Sequence, residues 1–99
     1  MKRFYTAESV TEGHPDKLCD LIADSILDAC LKEDENSRVA CEVLATKRNI
    51  IVAGEITSRF EPQVFEIIKE VLESGGYEAE EIHMDDLIHK QSPDIAGAV

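Results

Sequence analysis

An apolar alternation and a β-branched apolar run, separated by four polar residues, limit this chain more than any other feature. Val39, Cys41, Val43 and Ala45 alternate with Ala40, Glu42 and Leu44, and a second, β-branched run spans 50–57. A period of two marks a strand with one face buried. Only Thr46 and the turn Lys47-Arg48-Asn49 lie between the two runs. Parallel strands need a crossover of about a dozen residues or more, so this pair must run antiparallel. A lone hairpin is marginal in water and requires a second layer over its apolar face.

Covering elements stand on both sides of the hairpin. Residues 15–32 carry Leu18, Ile22, Ile26 and Ala29 at three- and four-residue spacing, which predicts a helix with one apolar face. Pro15 suits the first helical position, because its fixed φ matches the helix and its missing N–H would have no partner there. A second helix is predicted from Pro62, with Val64, Ile68, Val71 and Leu72 as its buried stripe and Gly75-Gly76 as its stop. Residues 2–9, with Phe4 and Tyr5, read as a strand, and residues 82–88 are a candidate for a short final one. Residues 33–37 are a polar break, and Gln91-Ser92-Pro93-Asp94 reads as a loop. The predicted class is therefore a two-layer α+β domain in the order β-α-β-β-α-β, with both helices on one face of a small mixed or antiparallel sheet. The chain's 99 residues suffice for one such domain and one core.

Composition excludes several functions. A net charge of −11 repels nucleic acid and anionic membranes, so neither is expected as a partner. The longest apolar run, residues 50–54, is far too short to span a bilayer. Met1-Lys2-Arg3-Phe4-Tyr5 has charges with no apolar stretch behind them, so no signal peptide is read and the expected location is the cytoplasm. The three cysteines, Cys19, Cys30 and Cys41, have no CxxC spacing, which argues against a disulfide framework and a zinc site. Cys19 and Cys30 are expected to face the core as reduced thiols, about three helical turns apart. The sequence contains no nucleophile elbow, phosphate-binding G-x-x-x-x-G-K-[ST] or H-E-x-x-H.

Three groups of residues carry chemical content. The first is the helix entry, where Glu8, His14, Asp16 and Lys17 gather around Pro15. A helix N-terminus exposes unpaired N–H groups and positive partial charge, which seats phosphate. A carboxylate beside it can hold magnesium. The alternative is an ordinary cap, with Asp16 in the first turn and His14 on the surface. The second group is Asp16, Asp20, Asp24 and Asp28, spaced i, i+4. Such a stripe is either solvated or faces a cation, and only Asp16, at the helix mouth, is a candidate metal ligand. The third is Glu42 and Glu55. A two-residue turn at Arg48-Asn49 would pair Lys47 with Ile50 and set Glu42 directly opposite Glu55, with Cβ atoms about 5 Å apart. Two carboxylates among apolar neighbours require a bridging cation or a ligand ammonium, unless both point to solvent or the register differs. With 10 basic residues against 21 acidic ones, a bound phosphate would need metal ions or basic groups from elsewhere.

Together these residues resemble the amino-terminal domain of the S-adenosylmethionine synthetase (methionine adenosyltransferase) family. Phe4-Tyr5-Thr6-Ala7-Glu8-Ser9-Val10 followed by Glu12-Gly13-His14-Pro15-Asp16-Lys17 resembles the family's opening signature. Val39-Ala40-Cys41-Glu42 and Gly54-Glu55-Ile56-Thr57 resemble its central hairpin, and Gln91-Ser92-Pro93-Asp94-Ile95 resembles the start of its mobile active-site loop. The chain departs from the family pattern in Ile95-Ala96-Gly97-Ala98-Val99, in a shorter stretch between Gly76 and Gln91, and in a hairpin turn without glycine.

The resemblance implies an enzyme that joins ATP to L-methionine. The methionine sulfur attacks the ribose C5′, triphosphate leaves, and it is then hydrolysed to pyrophosphate and phosphate. It implies magnesium and potassium as cofactors, and a homo-oligomer with active sites between subunits. By position, His14 is implied as the catalytic residue, on the triphosphate side of ATP. Asp16 and Glu8 are implied as magnesium ligands, Glu42 as a potassium ligand, and Glu55 and Gln91 as methionine-binding residues. Family chains are several times longer. Residues 1–99 are therefore expected to be an amino-terminal domain cut within the active-site loop and inactive alone. Two rival readings are a short acidic binding or regulatory module on the same fold, and a divalent-cation binder without catalysis.

Overall fold

The computed structural model describes the backbone of residues 3–5 and 15–93 and the side chains of 17–93. The elements are β1 (Arg3–Tyr5), α1 (Pro15–Glu33), β2 (Arg38–Ala45), β3 (Asn49–Thr57), α2 (Val64–Ser74), a short 3-10 turn (Ala79–Glu81) and β4 (His83–Gln91). This is the predicted β-α-β-β-α-β order. The strands lie side by side in chain order, β1-β2-β3-β4. β2 and β3 are antiparallel, as three intervening residues require, while β1 is parallel to β2 and β4 parallel to β3. The sheet is thus mixed. Each helix is the crossover of one parallel pair, and both cover the same face.

Period two decides which residues meet the helices. Cys41, Val43 and Ala45 of β2, with Ile50, Val52 and Ile56 of β3, are buried. Above them lie Cys19, Ile22, Ile26 and Cys30 of α1, and Val64, Ile68 and Leu72 of α2. The three cysteines are buried and none forms a disulfide, as the spacing predicted. Burial also raises the Cys41 thiol to about 11, so it stays neutral at physiological pH.

Three boundaries differ from the sequence reading. Pro62 is not the first helical residue; it is buried ahead of Gln63, and α2 begins at Val64. The final strand is longer than predicted and takes in Gln91, which had read as loop. Of the strand expected over residues 2–9, residues 6–9 lie outside the described residues.

The end of α1 is latched to the far end of the sheet. Asp34 accepts the Asn36 N–H at 3.1 Å and the Arg59 N–H at 2.9 Å, one on each carboxylate oxygen. Ser37 Oγ lies 2.7 Å from Ser58 Oγ, which also accepts the Phe60 N–H at 3.0 Å. Thus the α1–β2 loop and the β3–α2 loop hold each other. The backbone donors keep the Asp34 carboxyl below the usual carboxylate range. A depressed folded-state value means stabilisation that is fully present above the unfolded-state value, and is lost as pH falls through the folded-state one.

Two glycines are dictated by geometry. Gly76 has φ +86° and ends α2: its N–H donates to Glu73 O at 3.1 Å, and the Tyr77 N–H donates to Leu72 O at 2.9 Å. This is the paired bonding of a left-handed helix stop. Gly54 has φ +133° inside β3, and a Cβ there would collide with the Ala40 carbonyl oxygen, whereas a Cβ at Gly76 meets open space.

Two outcomes follow. Gly54→Ala should cost about 3 kcal/mol, from strain plus overpacking, and Gly76→Ala about 1 kcal/mol, from backbone conformation alone. Equal shifts in urea midpoint would sink the steric account. Secondly, the urea midpoint should fall as pH drops below about 4, and Asp34→Asn should flatten that fall while lowering the midpoint at neutral pH. An unchanged pH profile in Asp34→Asn would rule out the latch as its source.

Candidate functional site

Alternation places one set of side chains under the helices and the other on the uncovered face. Glu42 of β2, Glu55 of β3 and Gln91 of β4 all belong to the uncovered set. Glu42 and Glu55 are exposed, and Gln91 is half-buried. Leu87, also of that set, is 65% exposed, so no element of the described residues covers this face at β4.

Glu42 and Glu55 are not directly opposite each other, contrary to the sequence reading. Glu42 faces Ala53 and Glu55 faces Ala40. The ladder closes at Ala45 and Ile50, two residues earlier than a two-residue turn at Arg48-Asn49 would give. The physical reason lies in the turn. A two-residue hairpin turn of the favoured type needs φ > 0 at both central positions, and no non-glycine residue among those described has positive φ. Instead, Thr46 organises a longer connection. Its N–H donates to Asn49 O at 2.8 Å, and its Oγ1 accepts the Asn49 N–H at 3.1 Å. Because the slip is two residues, both glutamates keep their face. They are diagonal neighbours, roughly 7–8 Å apart rather than 5 Å.

β4 brings two further groups. His89 is the in-register neighbour of Glu55, and Gln91 that of Thr57. Gln91 is fixed through its backbone, since its carbonyl accepts the Ser58 N–H at 3.1 Å. Sequence reasoning missed His89. Counting back by two from Gln91 would have found it, but only once β4 was known to reach that far.

Glu42 also borders a cavity of about 320 Å³ at the β2 margin, where Asp24 of α1 supplies a second carboxylate. Of the acidic stripe, Asp24 and Asp28 are exposed, and Asp20 is half-buried. Glu8 and His14 lie outside the described residues, as does the Asp16 side chain; the Asp16 backbone belongs to the first turn of α1. Among the described residues, no group of three or more His, Cys, Asp or Glu side chains could hold a metal ion. The carboxylates present are hard oxygen donors of the kind magnesium and potassium take, but the described donors do not complete a site for either.

Comparison with known proteins bears on the same residues. Residues 2–93 match the family model of the S-adenosylmethionine synthetase N-terminal domain. An S-adenosylmethionine synthase of Treponema pallidum subsp. pallidum is 45% identical over 106 aligned residues, covering 100% of this chain and 27% of that protein. That of Mycoplasma mycoides subsp. mycoides is 45% identical over 105, covering 99% and 27%. Among solved structures, an S-adenosylmethionine synthetase from Campylobacter jejuni, described as unusual, superposes with a TM-score of 0.77 at 36% identity, over 84% of this chain and 25% of that one. The chain spans about a quarter of the length of these relatives. A family model running from β1 to the end of β4, and relatives aligned along the whole chain, give the conclusion that this chain belongs to the S-adenosylmethionine synthetase family and corresponds to its N-terminal domain.

Proposed function

We propose that this chain supplies part of a site that forms S-adenosylmethionine from ATP and L-methionine. The observation that carries this reading is the common uncovered face of Glu42, Glu55 and Gln91, in a chain of this family. On it, the Glu55 carboxylate pairs with the methionine ammonium, and the Gln91 amide, held on a fixed strand end, orients the amino acid. A thioether is a neutral nucleophile and needs no general base, which accords with a sequence that has no nucleophile elbow or triad. Its sulfur attacks the ribose C5′ of ATP and becomes a sulfonium, while the triphosphate departs and is then cleaved to pyrophosphate and phosphate. Catalysis of this kind is positioning plus stabilisation of a polyanionic leaving group.

By the family pattern, His14 would contact the triphosphate side, Asp16 and Glu8 would hold magnesium, and Glu42 would be a potassium ligand. The metal ions, when bound, offset phosphate charge that this acidic chain cannot neutralise by itself. The expected compartment is the cytoplasm; among the described residues, no helix is long and apolar enough to cross a membrane.

The geometry also favours sites shared between two copies. α1 has 19 residues, and a helix of that length is about 28 Å long. Asp16 is in its first turn, whereas its last turn is latched through Ser37 and Ser58 to the strand end that carries Gln91. Asp16 and Gln91 are therefore at opposite ends of one domain. A single reaction centre can meet both kinds of residue when a second subunit brings its own.

In a longer protein containing this chain, supplied with ATP, methionine, Mg²⁺ and K⁺, S-adenosylmethionine should form; the 99-residue chain alone should form none. Glu55→Gln and Gln91→Ala should each raise KM for methionine by about ten- to a hundredfold, with a smaller change in kcat. Asp28→Asn, on an exposed part of α1, should leave both unchanged. No product from the parent protein, or an unaltered methionine KM in Glu55→Gln, would overturn the reading.

A further inference from the structure

β4 is the last strand of the sheet, and among the described residues nothing pairs with its outer edge. An unpaired edge of nine residues is a template for a strand from another molecule. Along a strand, the N–H and C=O of one residue point to the same side, and the side alternates. The His83 N–H donates to Arg48 O at 2.8 Å, and Gln91 O accepts from Ser58 N–H at 3.1 Å. The odd-numbered residues of β4 thus face β3, and Met84, Asp86, Ile88 and Lys90 turn their backbone groups outward.

In that outward row the Ile88 N–H is already engaged. It donates to Asp86 Oδ1 at 3.0 Å. The other carboxylate oxygen of Asp86 accepts Lys90 Nζ at 2.6 Å. The Asp86 side chain is 12% exposed and that of Lys90 27%, so the clip is largely shielded. Both side chains stem from the helix-covered face, in line with buried Ile88. Aspartate is a poor strand former, and charge is ill suited to that face. A service to the edge accounts for both.

We propose that the Asp86–Lys90 clip is an edge guard. It occupies the outward amide to which a second copy of this chain would have to bond in adding its β4 to this one, and so keeps two sheets from joining edge to edge. Charges that point inward from an edge strand are an established means of preventing such pairing. A second copy is the partner to exclude, because two identical edges can meet antiparallel about a two-fold axis, each complementing the other.

The test uses the whole 99-residue chain. Asp86→Ala should keep the parent's circular dichroism and, when dilute, exchange its Ile88 amide about tenfold faster. When concentrated it should rise in mass by light scattering, while the amides of Met84, Ile88 and Lys90 become protected. The double variant D86A/K90P lacks one outward N–H and carries a residue that edges use to stop pairing, so it should return to the parent's mass. Lys90→Met releases the carboxylate without removing it and should shift mass in the same direction by less; it decides the matter if Asp86→Ala does not fold. A folded variant with the parent's mass at every concentration, or a mass increase that K90P does not reverse, would overturn the proposal.

Discussion

Val43 lies directly across from Val52, and neither has any surface open to solvent. Most of the molecule depends on that pairing. A slip by one residue would turn one strand over against the other and send its apolar side chains to the wrong face. With the pair in place, Cys41 and Ala45 fall beside Val43, and Ile50 and Ile56 on the same side of β3. The helices then have one surface on which to settle. The opposite surface must carry whatever remains, Glu42, Glu55, His89 and Gln91 among it. The proposed methionine-binding face is thus the remainder of the hydrophobic pattern, and the two cannot be altered independently.

The hairpin, both helices and the core were legible because they rest on periodicity, which local sequence carries. Cys19, Ile22, Ile26, Ile68 and Leu72 needed no knowledge of distant contacts. The register was misread because it rests on Thr46, whose hydroxyl and N–H both bond Asn49; composition gives no sign of such a connection. The face of the glutamates survived because the error was even. β4 was cut short at Ile88 because His89, Lys90 and Gln91 stand beside Ser92-Pro93, which reads as loop. What holds them in a strand is the parallel ladder with β3 and the bonds of Asp86 to Ile88 and Lys90, all of them tertiary or edge effects. Pro62 was misplaced by two residues for a similar reason: it is used for packing ahead of the helix.

The candidate site was legible only in part, and the division is physical. Glu42, Glu55 and Gln91 ride on strands whose register fixes them to one face. Asp16, at the helix entry, belongs to a different end of the domain, joined to the first by the length of α1, while Glu8 and His14 lie outside the described residues. Under the proposed function, the acidic balance of the chain makes sense as one side of a shared arrangement. The carboxylates receive an ammonium and hard cations here, and the positive charge that a triphosphate needs comes with the ions or from other parts of the assembly.

The Ser37–Ser58 contact has a directional consequence. Each hydroxyl carries one hydrogen. Ser37 Oγ is 2.6 Å from Asp34 O, so its hydrogen points there. Ser58 must then supply the hydrogen between the two serines, and its own oxygen is left to receive the Phe60 N–H. The polarity runs one way, from the Phe60 amide through two hydroxyls to a carbonyl at the end of α1. Bonds in such a chain polarise one another, so each strengthens the next. The two loops therefore behave as one electrical unit, and the Ser58 amide that holds Gln91 belongs to a residue inside it.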